Sequence, residues 1–380
     1  MKTTLITFTQ QGFAERSHGE KTSKRICGLD LIRVCAIFFV IAGHFFSLNT
    51  SFRVVPFAGP SMFVQSMMNT LFSVGVPLFM MLTGYLNINK KPSAAYYKGM
   101  IRVIAAYLLF SVATILFRTY YLGEELGILQ WTLKVLNYSA IPYAWYIEMW
   151  LGLALLTPFL NYLWKAIPTR NEKFLLLGSL FIMTSLPDLC NRYGLYVFPA
   201  YFAKACYPFL FFFIGTFIRE YQPRIATWLG CCVIVAMTLI TPTTNAVLFR
   251  GSGDIVEIGG GPGGVFYTWI SIAIFLMLYQ TDISVNPIRK FITHCSRVSL
   301  EMYLCCFMFD RLYYPWFKVR FFESQPQYLA FFFVLVPLVF LSSYLVAALY
   351  NYCSDWIKRS PKLSGLESWR LWTVVQTLLD

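Results

Sequence analysis

The sequence is poor in charge. Only 13% of its 380 residues are Asp, Glu, Lys or Arg, about half the share found in a soluble globular domain. With so little solvating charge and 57% hydrophobic residues, the chain cannot cover itself with polar surface. That excludes a soluble enzyme and a disordered regulator. The first 25 residues lack a signal-peptide core: Leu5–Phe8 is their one apolar run, and it is too short. The ten cysteines show no metal-ligand spacing. The adjacent pairs Cys231–Cys232 and Cys305–Cys306, and most of the rest, lie in apolar runs. They read as buried, inert thiols, with no disulfide framework and no metal site. A soluble second domain, a low-complexity linker and an internal repeat are also missing.

What is abundant is apolar and aromatic. The chain holds 36 Phe, 24 Tyr and 10 Trp, and its mean hydropathy is +0.58. Runs of membrane-spanning length recur throughout: Leu29–Phe46, Phe63–Leu86, Met100–Tyr121, Trp145–Leu163, Phe174–Leu186, Phe202–Ile218, Ile225–Ile240, Val265–Gln280, Val298–Tyr314 and Tyr328–Tyr352. The expected fold is all-α, a polytopic membrane bundle of about ten transmembrane helices. Phe174–Leu186 is short for a span, and is expected to be tilted, extended or partly re-entrant. With the N-terminus placed inside, the cytoplasmic segments collect about three times as many cations as the outer ones. Both termini are then cytoplasmic. The expected organisation is an N-terminal tail over 1–27, a membrane domain over 28–353 and a C-terminal tail over 354–380. In that last tail Trp369–Leu379 looks amphipathic and suits the membrane surface. The formal net charge of +13 is thus topological and does not imply nucleic acid. A basic inner face also attracts anionic headgroups or an anionic cofactor.

Inside a membrane the informative residues are the polar ones, because an ionisable group at bilayer depth is costly and usually faces a cavity. The first span is the richest, with Asp30, Arg33 and His44. Asp30 and Arg33 are three apart and can pair on one helical face. Arg33 and His44 are eleven apart. At about 100° and 1.5 Å per residue they share a face and lie roughly 16 Å apart along the axis. Imidazole is the usual general base near neutral pH, and guanidinium suits phosphate or carboxylate. The geometry leaves two readings: a functional stripe, or Arg33 snorkelling to the inner headgroups with His44 at the outer interface.

These residues resemble the signature of the acyltransferase 3 family, Leu-Asp-x-x-Arg followed by ten residues and His. Other segments match in order: Gly75–Leu86 with its Val-Pro and Thr-Gly-Tyr, Tyr96–Arg102 with its basic pair, Trp145-Tyr146-Ile147-Glu148 with Thr157–Asn161, and Ser299–Leu304. The resemblance covers nearly the whole chain. It departs from the family pattern at Gly99, where Arg is usual, at Leu300, where Tyr is common, and at Cys306, where His is common. His44 is left as the histidine inside a span, with His18 in the tail and His294 in a cytoplasmic loop.

The family comprises bacterial integral-membrane acyltransferases, mostly O-acetyltransferases of cell-envelope sugars. The resemblance therefore implies the bacterial cytoplasmic membrane, acetyl-CoA or another acyl-CoA as co-substrate, and no tightly bound cofactor. The acceptor is a hydroxyl of a lipid-linked or exported glycan. It implies His44 as general base, with Arg33 and Asp30 in the catalytic set. Lys98 and Arg102 are expected to bind the donor, and Glu148, Tyr146 and Trp145 to bind or orient the acceptor. Whether transfer is direct or passes through an acyl-histidine is left open, as is Glu148 as a site residue or an interfacial carboxylate. Arg118 is expected to snorkel. Asp310 is expected to pair with Arg311 at the outer edge, and Glu301 with Arg297. Gly259–Gly264 lacks the Lys-Ser/Thr and the preceding strand of a phosphate loop, and reads as a flexible outer loop. The alternative is a polysaccharide or small-solute exporter of the same fold. It predicts discontinuous helices and polar groups spread along a path. Here they are concentrated in the first span and at the inner mouth.

Overall fold

The computed structural model describes residues 6–7, 26–46, 57–191, 195–248, 261, 263–321 and 327–359. They form fourteen helices: α1 (Cys27–His44), α2 (Gly59–Phe72), α3 (Gly75–Asn87), α4 (Ala94–Tyr120), α5 (Ile128–Leu136), α6 (Trp145–Ala166), α7 (Arg170–Thr184), α8 (Leu186–Cys190), α9 (Ala203–Tyr221), α10 (Thr227–Leu248), α11 (Val265–Leu278), α12 (Asn286–Arg297), α13 (Ser299–Phe321) and α14 (Tyr328–Arg359). The one departure from an all-α fold is a small antiparallel ribbon of β1 (Ile6–Thr7) and β2 (Arg224–Ile225), paired Ile6 to Ile225 and Thr7 to Arg224. Six helical stretches among the described residues are long and apolar enough to cross a membrane: Cys27–His44, Gly59–Asn87, Ala94–Tyr120, Arg170–Cys190, Thr227–Leu248 and Leu329–Trp356. The protein is an all-α membrane bundle. The C-terminal stretch Trp369–Leu379 and residues 259, 260 and 262 of the glycine run lie outside the described residues.

Local chemistry adjusts several boundaries. The second apolar run is two helices. Ser73 closes α2, its hydroxyl donating to the Asn69 carbonyl at 2.7 Å. Pro77 then has no N–H to carry the ladder back to Ser73. The short run at Phe174 is extended at both ends. Thr169 and Glu172 form a capping box that starts α7 at Arg170, and α8 continues it, giving 21 residues. Helix α10 starts at Thr227, because Ile225 is committed to the ribbon. Helix α14 runs to Arg359, beyond the expected end of the membrane domain at 353.

The bundle is inverted relative to a soluble protein. Helix α4 exposes Leu108, Val112 and Leu116, spaced four apart, and buries Ser111, Thr114 and Arg118. Helix α14 likewise exposes Leu341, Leu345 and Leu349. Apolar ridges outward and polar groups inward match a hydrocarbon solvent. Helix α1 is central, packing against α2, α3, α11, α12, α13 and α14. Helices α3 and α9 approach backbone to backbone. A Cβ on Gly84 would sit 1.9 Å from the Phe212 carbonyl oxygen, and one on Gly215 the same distance from that of Met81. Small residues at such crossings allow the close packing that holds membrane helices together.

Gly84→Ala should therefore destabilise the fold by about 3 kcal/mol, the upper end of overpacking penalties. Gly178→Ala, where an added Cβ meets nothing within 4 Å, serves as the control. The check is the thermal midpoint of monodisperse protein in detergent. Equal midpoints for the two variants would overturn the close-packing argument.

Candidate active site

The site is built where α1 runs along α12 and α13. At the start of α1, Asp30 is 4% exposed and accepts a 2.7 Å hydrogen bond from the Ser296 hydroxyl of α12. Its first-turn position also places its charge at the positive end of the helix dipole. Arg33 Nη1 donates to the same Ser296 Oγ at 3.1 Å and lies 4.0 Å from Asp30 Oδ1. The guanidinium is thus held by a serine bridging it to a carboxylate. Arg33 also lines two adjoining cavities. The wider, of about 690 Å³, is a vestibule walled by Asp30, Tyr85, Arg219, Ser296 and Arg297. The narrower, of about 240 Å³, is a neck walled chiefly by apolar and aromatic groups, among them Phe79, Leu82, Val103, Tyr146, Trp150 and Tyr303. Arg33, Leu86 and Ser299 line both. Arg219 is set by Tyr85, donating to its hydroxyl at 3.4 Å with the guanidinium over its ring at 5.2 Å.

At the other end of α1, the His44 side chain is 12% exposed. Its Nδ1 lies 3.9 Å from Asp310 Oδ2 and 3.9 Å from Cys306 Sγ. Its ring centroid is 3.9 Å from that of Tyr143. The Tyr143 hydroxyl donates to Asp310 Oδ2 at 2.8 Å, and the Tyr143 carbonyl accepts from the Tyr303 hydroxyl. Tyr303 is a wall of the neck, so a bonded chain of two tyrosines joins the inner cavity to the His44 cluster. One face of α13 supplies this whole side. Ser299, Tyr303, Cys306 and Asp310 are spaced four, three and four apart, which is one helical stripe. It runs opposite the stripe of α1 that carries Arg33 and His44.

The remaining expected site residues fall in different places. Tyr146 is a wall of the neck, its ring 5.5 Å from that of Tyr303. Trp145 is 43% exposed, Glu148 is exposed, and neither lines the neck. Lys98 and Arg102 are exposed on α4, outside the lining of the vestibule; Arg219 and Arg297 provide its cations beside Arg33.

Three expectations are corrected. Asp310 is 1% exposed and turned to His44, while Arg311 lies over the Phe307 ring at 5.5 Å. Its signal in the sequence is its place one helical turn after Cys306. Arg118 does not snorkel. It is 9% exposed, clasps Glu124 through Nε and Nη2, and donates to the carbonyls of Ser139 and Ala140. It thereby anchors the loop that presents Tyr143, a residue the sequence did not single out. His294 belongs to a helix rather than a loop, and its Nδ1 meets the Tyr344 hydroxyl at 2.9 Å.

An imidazole flanked by a buried carboxylate, close to a cavity with a cationic mouth, is equipment for moving a proton in a low-dielectric interior. The fold that carries it is an all-α membrane bundle. A family model described as an acyltransferase domain matches residues 27–348, and the chain belongs to the acyltransferase 3 family. It is a membrane acyltransferase. No curated protein and no solved structure matched the chain.

Asp310→Asn keeps an acceptor for the Tyr143 hydroxyl but removes the charge facing His44. It should lower acyl transfer by roughly 10²-fold at equal protein level, within the range that positioned acid–base groups contribute. Tyr143→Phe, which removes the hydrogen bond to the Asp310 carboxylate, should cost about tenfold, the low end for a hydrogen bond to a charged group. Comparing turnover in matched membranes tests both, and full activity in Asp310→Asn would remove the carboxylate from the site.

Proposed function

We propose that the protein moves an acyl group, acetyl in the first instance, from cytoplasmic acyl-CoA to a hydroxyl of a lipid-linked or exported cell-envelope saccharide, with His44 as general base. The observation that carries this reading is one continuous arrangement. A cationic vestibule narrows at Arg33 into an apolar neck, and the neck ends at Tyr303, one tyrosine away from His44.

The donor's phosphates cannot cross the bilayer, so they stay on the cytoplasmic side, drawn to the cationic mouth where Arg33, Arg219 and Arg297 line the vestibule. The uncharged pantetheine arm and thioester suit the neck, whose walls are mostly apolar. His44 takes the proton of the acceptor hydroxyl as its oxygen attacks the thioester carbon. The C–S bond breaks, and the departing CoA thiolate is protonated, so an ester and free CoA result. The carboxylate of Asp310 favours the imidazolium formed in that step. Tyr143 holds Asp310 and packs on the ring. Asp30 and Ser296 keep Arg33 aimed across the junction of vestibule and neck. Tyr146 is the acceptor-side or thioester-side aromatic of the neck. Lys98, Arg102, Trp145 and Glu148 serve at the rims.

The same reading gives ten crossings: α1, α2 with α3, α4, α6, α7 with α8, α9, α10, α11, α13 and α14. Both termini lie in the cytoplasm of a bacterial cell, and residues 28–353 form the catalytic membrane domain. The end of α3, the end of α6 and the junction of α12 with α13 are all cytoplasmic on this count. In support, Asn161 of α6 donates to the Asn87 and Lys90 carbonyls, and Ser296 joins the start of α1. The partners are acyl-CoA, the glycan and membrane lipids, with no tightly bound cofactor and no nucleic acid.

The experiment uses membranes carrying wild type or His44→Ala, supplied with acyl-labelled acetyl-CoA. Label in lipid-linked glycan and free CoA should both fall about 10²–10⁴-fold in the variant. Equal labelling by wild type and variant would sink the role of His44.

A further inference from the structure

The vestibule does not end at Arg297. That residue also lines a separate groove of about 460 Å³, walled by Asn286, Arg289, Lys290, Thr293, His294 and Arg297. These positions are spaced three, one, three, one and three apart, so they form one face of α12. The helix contains no acidic residue, and Asp282, 3.8 Å from Arg289 at the edge, is the carboxylate that pairs there. The other faces of α12 are already used. Ile292, Cys295 and Ser296 are buried, and Ser296 carries the hydrogen bonds to Asp30 and Arg33. Ile288 and Phe291 are exposed apolar residues. The basic face is therefore presented alongside the catalytic cavity by the helix that bonds to Arg33.

We propose that this face binds the phosphorylated nucleotide end of the donor, a 3′-phosphorylated adenosine diphosphate. The proposal rests on the reading of acyl-CoA as co-substrate and assigns its phosphates to α12. Three observations favour a nucleotide over a lipid headgroup. The groove and the vestibule share Arg297, so a single extended molecule can occupy both. From Arg297 back to Arg289 is about 12 Å at 1.5 Å per residue, so with the reach of their side chains these cations can close on phosphates carried at two positions of one nucleotide. The groove also offers directed donors as well as charge. Thr293 contributes a hydroxyl, and His294 is oriented by the Tyr344 hydroxyl on its Nδ1. Guanidinium groups at Arg289 and Arg297 suit phosphate by bidentate hydrogen bonding, with Lys290 as a point charge between them.

The test compares full-length wild type with the double variant Arg289→Gln, Lys290→Gln, purified in detergent. Acetyl-CoA and acetyl-pantetheine, which lacks every phosphate, are the donors. Wild type should prefer acetyl-CoA through KM. In the variant the KM for acetyl-CoA should rise at least about tenfold, the scale of lost charge-assisted bonds, with kcat little altered. The preference over acetyl-pantetheine should then collapse. Arg289→Lys should restore part of it. Equal losses with both donors would overturn the proposal, as would an effect that appears only in vesicles containing anionic phospholipid and is absent in zwitterionic ones. Equilibrium binding of adenosine 3′,5′-diphosphate keeps the test independent of turnover. Binding by wild type that is lost in the variant supports the site even if no transfer from acetyl-CoA is seen, a result that would sink the donor reading alone. Equal binding by both proteins, or none by either, sinks the site.

Discussion

A charged group inside a hydrocarbon-embedded bundle must be answered by partners, because water is not there to answer it. Helix α1 carries Asp30, Arg33 and His44 along one side, and the rest of the arrangement follows from how they are met. Asp30 and Arg33 are joined by one serine of α12. His44 is met by Asp310 and Cys306 of α13 and by the ring of Tyr143. Had α1 faced α4 or α14 with that side, it would have met the leucines that those helices turn outward. The polar seam therefore fixes the rotation of α1 and the docking of α12 and α13 together.

The seam also divides the chemistry along α1. At the α1 start the polar groups are cationic and open to a cavity, which suits binding. At the α1 end they are a titratable ring and a carboxylate enclosed by aromatics, which suits proton transfer. Between them lies a narrow, largely apolar stretch. Arg118 of α4 contributes by pinning the carbonyls of the loop that carries Tyr143.

Much of the fold is legible in the chain because a membrane protein writes its spans as apolar runs, and runs are local. The misplacements also have local causes. A proline with no N–H splits the second run into α2 and α3. A capping box lengthens the short run at Phe174, and a two-residue ribbon delays α10. The eleven-residue spacing of Arg33 and His44 is enough to put them on one helical face, and both turn toward α12 and α13. Lys98 and Arg102 are expected at the vestibule from charge and motif position. Charge and position say where a cation is along the chain, and the rotation of α4 decides what it faces.

The sequence by itself determined the class of protein, the apolar runs that become its helices, the family and the polar stripe of α1, since composition, periodicity and motif order are properties of the chain taken locally. Only the tertiary structure decided what that stripe meets. The partner of Asp30 is Ser296 and that of His44 is Asp310, each more than 260 residues away. The same holds for the vestibule, whose cations come from α1, α9 and α12, and for Tyr143, whose importance depends on a loop pinned by Arg118. Such pairings depend on which helix faces packing brings together, and one-dimensional patterns carry no record of that rotation.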